Sequence, residues 1–396
     1  MNLSNKAKQI KPSSTLAITA KANQMKTEGI DVVGFGAGEP DFDTPNHIKE
    51  AAIAAIHAGF TKYTPVAGTV ELKTAICKKF KEDNGLEYKP SQIVVSNGAK
   101  HSLTNAFMAI LNAGDEVIIP APFWLSYPDM VALADGVPVI IKTTEETNYK
   151  LTLEQLQNAL TSKTKAIIVN SPSNPTGMVY SKEELQMIAD FAVENDILVI
   201  SDEIYEKLLY DDEKHYSIAQ LGEEIFKRTI VVNGVSKSYS MTGWRIGYTA
   251  STEEIAKLMS NIQSHAASNP NSIAQKAAVA AIAGPQECVE VMRVEFDTRR
   301  EYMVERVNAM PGISCKVPKG AFYVFINVSS VFGKSYNGTV INSASDFAAC
   351  ILEGQVAVIP CEDFGFDTHI RISYAISLES IKKGLDRLET FVESLV

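Results

Sequence analysis

The stretch KAIIVNSPSNPTGMVYSKEELQMIADFAVENDILVISD, residues 165–202, contains two strand patterns separated by a helix pattern. Its outer segments, KAIIVN and ILVISD, are continuous apolar runs rich in β-branched residues, which is typical of strands buried on both faces of a sheet. Between them, Ser181 and Glu184 have the Ser-x-x-Glu spacing of a helix capping box. The stretch therefore predicts a strand–helix–strand unit.

The same alternation continues from about residue 90 to residue 250. The apolar runs are QIVVS (92–96), EVIIP (116–120), PVIIK (138–142), KAIIVN (165–170), ILVISD (197–202), TIVVN (229–233) and RIGYTA (245–250). Only the last connection is too short for a helical crossover. The sequence therefore predicts an α/β domain with a mostly parallel, seven-stranded sheet covered by helices.

The C-terminal part of the chain has a different pattern. Residues 286–310 predict one long helix that ends at Pro311-Gly312, and GAFYVFINV (320–328), VAVIP (356–360) and HIRISYA (369–375) predict strands. A chain of 396 residues is also too long for one simple core. We expect a large domain of residues 46–290, a smaller α+β domain of residues 291–396, and a segment of residues 1–45 that packs with the small domain.

Composition argues against several kinds of protein. The net charge is −10 and the basic residues are dispersed among acidic ones, which disfavours nucleic acid as a partner. KKFKEDNGLE (78–87) is an example, and such mixed charge predicts a solvated helix face. No apolar stretch predicts a signal peptide or a membrane span, and five cysteines without a CxxC motif favour the cytoplasm. The histidine spacing predicts no metal site.

Other catalytic motifs are incomplete. GFGAGEP (34–40) does not have the glycine spacing of a dinucleotide-binding loop, and GKS (333–335) lacks the upstream glycine of a P-loop. No GxSxG motif surrounds Ser236. The missing motifs argue against a dinucleotide-binding dehydrogenase, a P-loop NTPase and a hydrolase with a GxSxG nucleophile.

Polar and aromatic residues follow most of the predicted strands. In an open parallel sheet, ligands bind beyond the carboxyl ends of the strands, so we expect these residues to line one cleft. They are Gly98, Ala99, Lys100, Trp124, Asn174, Asp202, Tyr205, Ser236, Lys237 and Arg245.

These residue types together predict one kind of ligand. A helix beginning at Ala99 offers free backbone N–H groups to a phosphate, and Arg245 adds a double donor. Asp202 would pair with a protonated ring nitrogen, Trp124 would stack on a ring, and a desolvated Lys237 amine would form an imine with an aldehyde. These complementary groups are those of pyridoxal 5′-phosphate, so the sequence predicts this cofactor.

Over essentially its whole length the sequence resembles the fold-type-I pyridoxal-phosphate aminotransferases of class I, and among them the bacterial aspartate aminotransferases. The motifs that carry the resemblance occur in family order: GAGEPDFDTP, KYTPVAGTVELK, SNGAKHSLTN, PFWLSYP, VNSPSNPTG, SDEIYE, SKSYSMTGWRIGY, GAFYVF and HIRISYA.

The resemblance implies roles for individual residues. Lys237 would hold the cofactor covalently and act as the catalytic base. Asp202 would pair with the pyridine nitrogen, Asn174 and Tyr205 with the ring hydroxyl, and Trp124 would stack on the ring. The phosphate would be bound by Ala99, the Lys100 backbone, Ser236, Arg245 and, from the neighbouring subunit, Tyr63. This last contact implies a homodimer with shared active sites, to which residues 268–270 would also contribute.

The resemblance also implies the substrates. Gly38 and Arg371 would bind the substrate α-carboxylate, with Trp124 and Asn174 beside it. Transfer of the amino group of L-aspartate to 2-oxoglutarate, giving oxaloacetate and L-glutamate by ping-pong kinetics, is expected. Lys100 is our candidate for the second carboxylate of the substrate, assisted by Ser14 and Thr15.

Alternative activities remain open from the sequence. Lys11 lies where related enzymes that accept prephenate carry a basic residue. Aromatic, alanine or prephenate/arogenate specificity is therefore an alternative, as is a pyridoxal-phosphate-dependent β-eliminating lyase.

Overall fold

The computed structural model describes residues 2–10, 12 and 14–396, so the predicted role of Lys11 lies outside the described residues. The strands of this part of the chain are β1 (Val33–Gly34), β2 (Ile93–Ser96), β3 (Glu116–Ala121), β4 (Val137–Lys142), β5 (Thr164–Asn170), β6 (Leu198–Asp202), β7 (Thr229–Gly234), β8 (Gly247–Ala250), β9 (Ser314–Cys315), β10 (Tyr323–Asn327), β11 (Ser335–Tyr336), β12 (Thr339–Val340), β13 (Val356–Ala357), β14 (Ile359–Pro360) and β15 (His369–Ser373).

The helices begin and end as follows. They are α1 (Asn5–Gln9), α2 (Ser14–Thr27), α3 (Asn46–His57), α4 (Val70–Asn84), α5 (Ala99–Ile110), α6 (Ser126–Leu133), α7 (Leu153–Ala159), α8 (Lys182–Glu194), α9 (Glu223–Arg228), α10 (Glu253–Ala266), α11 (Ser272–Ala283), α12 (Glu287–Ala309), α13 (Ala344–Glu353) and α14 (Leu378–Glu393). The capping box predicted for α8 is present, because the side chains of Ser181 and Glu184 each accept from the other's backbone N–H.

The seven predicted strands form one sheet, in the order β2-β8-β7-β6-β5-β3-β4. Neighbouring strands from β7 to β4 are parallel, whereas β8 is antiparallel to both β7 and β2. The predicted mostly parallel α/β sheet is therefore confirmed. The carboxyl ends of its parallel strands meet at one edge, which is where ligands bind in such sheets.

The antiparallel direction of β8 follows from its short connection to β7, which has no room for a crossover helix. One detail of the sequence prediction was wrong here. Arg245 does not begin the strand; it follows a 3₁₀ turn at Thr242–Trp244 and has a left-handed backbone, with φ of 59°. The strand starts two residues later, at Gly247. Arg245 is therefore placed by the turn and not by the sheet.

Both faces of the sheet are buried along its inner strands, as the continuous apolar runs predicted, whereas on the edge strand β4 Val137 and Ile140 are exposed. Val94 packs in a cluster with side chains of α5, α6 and α10, whereas its neighbour Val95 packs with side chains of α3, α4 and α11. Successive residues of a strand point to opposite faces, so these two clusters lie on opposite sides of the sheet. The helices therefore hold the strand ends, and the residues that follow them, in fixed positions.

A second region is built on a four-stranded antiparallel sheet of order β14-β15-β10-β9. Its core includes apolar side chains of α12, α13 and α14. Within the expected segment of residues 1–45, β1 pairs in parallel with β13, so that Val33 lies opposite Val356. Farther upstream, Lys6 forms an ion pair with Asp135, which follows α6. The domain boundaries at residues 46 and 291 stay predictions.

The predicted long helix is confirmed as α12, and it connects the two regions without a break. Val289 at its start packs in the cluster around α3, α4 and α11, whereas Met292 and Phe296 pack in the C-terminal cluster. The expected boundary at residue 290 thus falls inside one continuous helix.

The prediction that residues 78–87 form a solvated helix face was wrong for Lys79 and Asn84, which are both buried. The ammonium of Lys79 forms an ion pair with the buried Glu206 and donates to Asn84 Oδ1 at 2.8 Å. Glu206 comes from the segment after β6, so its partners on α4 depend on the tertiary structure. A mixed-charge helix pattern carries no signal for such a distant partner.

Two further observations concern the whole described chain. Every helix in the described ranges is too short or too polar to cross a bilayer. All five cysteines are described, and each is a free thiol.

Candidate active site

A cavity of about 360 Å³ opens at the carboxyl edge of the seven-stranded sheet. Eleven of the twelve predicted site residues line it: Gly38, Ala99, Lys100, Trp124, Asn174, Asp202, Tyr205, Ser236, Lys237, Arg245 and Arg371. Thr15 of α2 lines it as well, whereas Ser14 is not among the lining residues. Residues from distant parts of the sequence therefore meet in one place.

Lys237 projects into this cavity from the segment that follows β7. Its amine donates to the Gly38 carbonyl oxygen at 2.5 Å. Burial lowers the pKa of Lys237 to about 8, with Arg371 and Arg245 acting in the same direction and Glu39 opposing them. A substantial fraction of this amine is thus neutral near pH 8 and able to act as a nucleophile or base.

Asp202 ends β6 and lies at the floor of the cavity, almost fully buried. The Tyr127 hydroxyl donates to its Oδ2 at 2.7 Å, and the Ile204 backbone N–H donates to its Oδ1 at 3.3 Å. Burial raises the pKa of Asp202 to about 6, although both of these hydrogen bonds favour the ionised form. A cation brought into the cavity would stabilise this carboxylate.

The start of α5 forms an anion-binding corner with Arg245. Gly98 caps this helix with φ of 87°, and the first N–H groups of any helix lack partners within it. The Arg245 guanidinium donates to the carbonyls of Thr242 at 2.9 Å and Asn97 at 3.4 Å, which fixes it against Gly98. Gly247 of β8 lets the backbone at the start of α5 pack closely against the strand, since a Cβ at this position would lie 2.2 Å from the Ala99 nitrogen.

Arg371 provides a second anion-binding group on β15. Its buried guanidinium donates to Asn174 Oδ1 at 2.9 Å and to the Gly36 carbonyl at 3.3 Å. Its Nε is buried and has no hydrogen-bond partner among the described residues. An arginine held in this way retains donor capacity for a carboxylate.

The cavity also has aromatic walls. The Trp124 ring packs edge-on against Tyr127, with 5.4 Å between ring centroids, and the Lys100 amine lies 4.8 Å from the Trp124 ring. Burial lowers the pKa of Lys100, and Arg245 nearby lowers it further. The Tyr205 hydroxyl lies 3.0 Å from that of Tyr323.

Two site residues were missed by the sequence prediction. Tyr127 contacts Asp202, and Tyr323 contacts both Tyr205 and Arg371. Both tyrosines occur in motifs quoted above, PFWLSYP and GAFYVF. The spacing of Tyr127 three residues after Trp124 indicates a shared side of a helical turn, but the sequence has no signal for its contact with a strand 75 residues away.

The structure does not bring Tyr63 to the cavity of its own chain. Its side chain is 91 % exposed, and it is not among the residues that line the cavity. Its assignment to the phosphate of a neighbouring subunit stays a prediction.

The groups in the cavity fit pyridoxal 5′-phosphate. The anion-binding corner at α5 would hold the phosphate, buried Asp202 would receive the protonated ring nitrogen, and the Lys237 amine, which burial leaves partly neutral near pH 8, would be available to the aldehyde. The two anion-binding groups, at α5 and on β15, line the same cavity as Lys237. One would serve a cofactor phosphate and the other a substrate carboxylate.

Comparisons with known proteins agree with this arrangement. Residues 30–388 match the family model described as Aminotransferase class I and II. The aspartate aminotransferase of Bacillus sp. (strain YM-2) is 55% identical over 392 residues, covering 99% of each chain. The aspartate/prephenate aminotransferase of Nitrosomonas europaea is 46% identical over 396 residues, covering 99% of this chain and all of that one.

A solved structure extends the likeness to three dimensions. The crystal structure of the aspartate aminotransferase from Rhizobium meliloti is 43% identical and superposes with a TM-score of 0.97, covering 100% of both chains. Likeness of fold, length and sequence thus agree over the whole protein. The chain belongs to the class I and II aminotransferases.

Proposed function

We propose that this aminotransferase moves the amino group of L-aspartate to 2-oxoglutarate, giving oxaloacetate and L-glutamate. The observation that carries the proposal is the single cavity in which the Lys237 amine, the buried Asp202 carboxylate and the Arg371 guanidinium meet. Relatives named aspartate aminotransferase, 55% and 50% identical to this chain, support aspartate as the amino donor. None of these names supports the alternative of a β-eliminating lyase.

The cofactor of the family is pyridoxal 5′-phosphate. When bound, it supplies an aldehyde that takes up an amino group and a ring that accepts the electrons left by proton removal from the substrate. We assign its phosphate to Ala99, the Lys100 backbone, Ser236 and Arg245. Asp202 would hold the ring nitrogen, Asn174 and Tyr205 the ring hydroxyl, and Trp124 one face of the ring.

Lys237 has two proposed roles. Its Nζ anchors the cofactor, and it moves a proton away from the substrate α carbon. The pKa of about 8 suits the second role, because a base near the working pH combines sufficient neutral amine with sufficient basicity. Lys237 also lies within hydrogen-bonding distance of the Gly38 carbonyl, which fixes the amine beside the segment that would bind the substrate.

The substrate α-carboxylate is assigned to Arg371 and to the Gly38 backbone. Arg371 is held by Asn174, so the carboxylate would dock on an already oriented guanidinium. This arrangement restricts the position of the α carbon and places it near Lys237.

The second carboxylate of aspartate is assigned to Lys100, with Thr15 beside it. The Lys100 amine extends over the Trp124 ring, and Thr15 has a buried hydroxyl with no hydrogen-bond partner among the described residues. Ser14 also has a buried hydroxyl without such a partner. A carboxylate is a ligand that an ammonium and a hydroxyl lining one cavity would both bind.

We further propose a homodimer in which Tyr63 reaches the phosphate site of the neighbouring subunit, with Ser268, Asn269 and Pro270 near the same interface. The Tyr63 side chain is 91 % exposed in the single chain, which leaves it available to a neighbouring subunit. The free thiols of all five cysteines support a cytoplasmic location.

A coupled assay tests the proposed reaction. Purified protein loaded with pyridoxal 5′-phosphate is mixed with aspartate and 2-oxoglutarate, and we expect oxaloacetate and glutamate in equal amounts. Parallel reactions with alanine, phenylalanine and prephenate as substrates establish specificity. Lys100→Ala should raise KM for aspartate about tenfold, the effect of one charge-assisted hydrogen bond, and leave KM for phenylalanine nearly unchanged. Absence of oxaloacetate in the wild type would contradict the proposal.

A further inference from the structure

We infer that Tyr323 is a positioning residue for this site, whose hydroxyl orients Tyr205 and whose ring supports the Arg371 guanidinium. This inference rests on the proposed roles of Tyr205 toward the cofactor and of Arg371 toward the substrate. It adds a residue that touches both partners and to which no role was assigned from the sequence.

The hydroxyl contact is short and shielded from water. The oxygens of Tyr323 and Tyr205 lie 3.0 Å apart, and both side chains are buried. Only one of the two hydroxyls can donate across this contact. When Tyr323 donates, the hydrogen of Tyr205 is left to point at an acceptor in the cavity, and the Tyr205 oxygen is held in place.

The second contact is made by the ring of Tyr323. The Arg371 guanidinium carbon lies 4.3 Å from the centre of the Tyr323 ring, which is close for a cation–π contact. Strand pairing explains this geometry. Phe325 lies opposite Arg371 and Tyr323 lies opposite Ser373, so Tyr323 and Arg371 are diagonal neighbours on adjacent strands and point to the same face.

A third contact places Tyr323 beside the segment that faces Lys237. A Cβ on Gly38 would lie 3.7 Å from the Tyr323 hydroxyl oxygen, so this hydroxyl lies against the Gly38 backbone. The carbonyl of Gly38 accepts from the Lys237 amine. One side chain of β10 thus touches the proposed cofactor-binding tyrosine, the proposed carboxylate-binding arginine and the Gly38 segment.

Two substitutions separate the functions of the ring and the hydroxyl. Tyr323→Phe keeps the ring over Arg371 and removes the hydroxyl, whereas Tyr323→Leu removes both and keeps an apolar side chain. Tyr180→Phe is the matched control, because Tyr180 is also a buried tyrosine, its hydroxyl accepts from the Leu151 N–H at 3.2 Å, and it is not among the residues that line the active-site cavity.

The cofactor-free variants are titrated with pyridoxal 5′-phosphate, followed by absorbance, and the loaded enzymes are assayed with aspartate. We expect Tyr323→Phe to raise the Kd for the cofactor about two- to tenfold, as for loss of one neutral hydrogen bond, with KM for aspartate within about twofold of the wild type. Tyr323→Leu should raise KM for aspartate by about a further tenfold, as for loss of a desolvated cation–π contact. Tyr180→Phe should leave both values unchanged.

A Kd for Tyr323→Phe equal to that of Tyr180→Phe would refute the role of the hydroxyl. Equal KM values for Tyr323→Leu and Tyr323→Phe would refute the role of the ring. Failure of the proposed function gives a different result, namely no turnover of aspartate by the wild type, and the cofactor titration would still test the hydroxyl. Unfolding curves of the cofactor-free variants exclude general loss of structure, and Tyr323→Phe keeps the test valid should Tyr323→Leu not fold.

Discussion

Two buried regions of this protein each contain a lysine and a carboxylate, but they balance their charges in different ways. In one region the ammonium of Lys79 pairs directly with Glu206, and Asn84 completes the contact. In the other region Asp202 accepts only from neutral donors, Tyr127 and the Ile204 N–H, with no ion-pair partner within 4.0 Å among the described residues.

The pKa values reflect this difference. Burial opposes ionisation of Glu206, but Lys79 and His215 outweigh it and hold the pKa of Glu206 at about 2. For Asp202 burial dominates and the pKa rises to about 6. Both carboxylates belong to one short segment, SDEIYE (201–206). We infer that the Lys79–Glu206 pair stabilises the fold, whereas Asp202 receives its cationic partner from a bound ligand.

The largest expected effect is on turnover in Lys237→Ala. Loss of the proposed base should reduce kcat by about 10²–10⁴-fold or more, because positioned proton transfer typically contributes that much. The free energy of unfolding of the cofactor-free protein should stay the same or rise slightly, since a buried amine is removed. Steady-state kinetics and urea unfolding measure the two quantities. Near-normal turnover in this variant would contradict the proposed role of Lys237 in proton transfer.

The next effect is on stability in Glu206→Gln. The substitution removes the closer of the two carboxylates paired with the buried Lys79 ammonium and leaves Asp83, at 3.8 Å, which we expect to reduce the free energy of unfolding by up to about 3–5 kcal/mol. The folded fraction should keep wild-type kcat. The matched variant is Asp202→Asn, for which we expect little loss of stability without cofactor but a Kd for pyridoxal 5′-phosphate raised about 10–150-fold, as for one charge-assisted hydrogen bond. An unchanged unfolding curve for Glu206→Gln would contradict this assignment.

The two carboxylates should also change stability with pH in opposite directions. Folding raises the pKa of Asp202 from 3.8 to about 6, so the folded cofactor-free protein binds this proton more tightly than the unfolded chain. Stability from Asp202 therefore declines as the pH rises from about 4 to about 6, by up to about 3 kcal/mol. Folding lowers the pKa of Glu206 from 4.5 to about 2, so its contribution to stability grows as the pH rises from about 2 to about 4.5 and is complete above that range.

Urea unfolding of the wild type and of Asp202→Asn at several pH values measures the Asp202 effect. Between pH 4.5 and 6 the difference in unfolding free energy should shift in favour of the variant as the pH rises. A constant difference over this interval would mean that Asp202 titrates in the folded protein as it does in the unfolded chain.

The smallest expected effect is that of Tyr127→Phe. Loss of the hydroxyl removes a donor to Asp202, which raises the pKa of Asp202 further and weakens its hold on a cationic ring nitrogen. We expect a Kd for the cofactor raised up to about tenfold, with a larger rise at pH 6 than at pH 8. Absorbance titrations at both pH values, with Tyr180→Phe as a control, measure this. Equal affinity losses at the two pH values would indicate a purely steric effect.

Much of the fold follows from local pattern. The strands of the large sheet were predictable because strands buried on both faces are continuous apolar runs, and α12 because its 23 residues end at a Pro-Gly break. The two-residue strand β1 has no such pattern and exists through pairing with the distant β13, where Val33 lies opposite Val356. The backbone of Arg245 was mispredicted because the 3₁₀ turn before it interrupts the apparent strand.

The site residues that follow the strands were predictable, because the carboxyl ends of parallel strands meet at one edge of the sheet. The location of Asp202 follows from its place at the end of an apolar run, but the identity of its donor, Tyr127, depends on how α6 packs on the sheet. The same limit explains Lys79, whose partner Glu206 lies 127 residues away in the sequence. The role of Tyr323 depends on the register between β10 and β15, which alternating apolar residues do not specify.

The central claim is that the Lys237 amine, and no other, binds the cofactor. Reduction of the cofactor-loaded protein with borohydride, followed by peptide mapping with mass spectrometry, tests it most directly. We expect a stable cofactor label on Lys237 and none on Lys79 or Lys100, with the label lost in Lys237→Ala. A label on a different lysine, or an unmodified Lys237 in fully loaded protein, would contradict it.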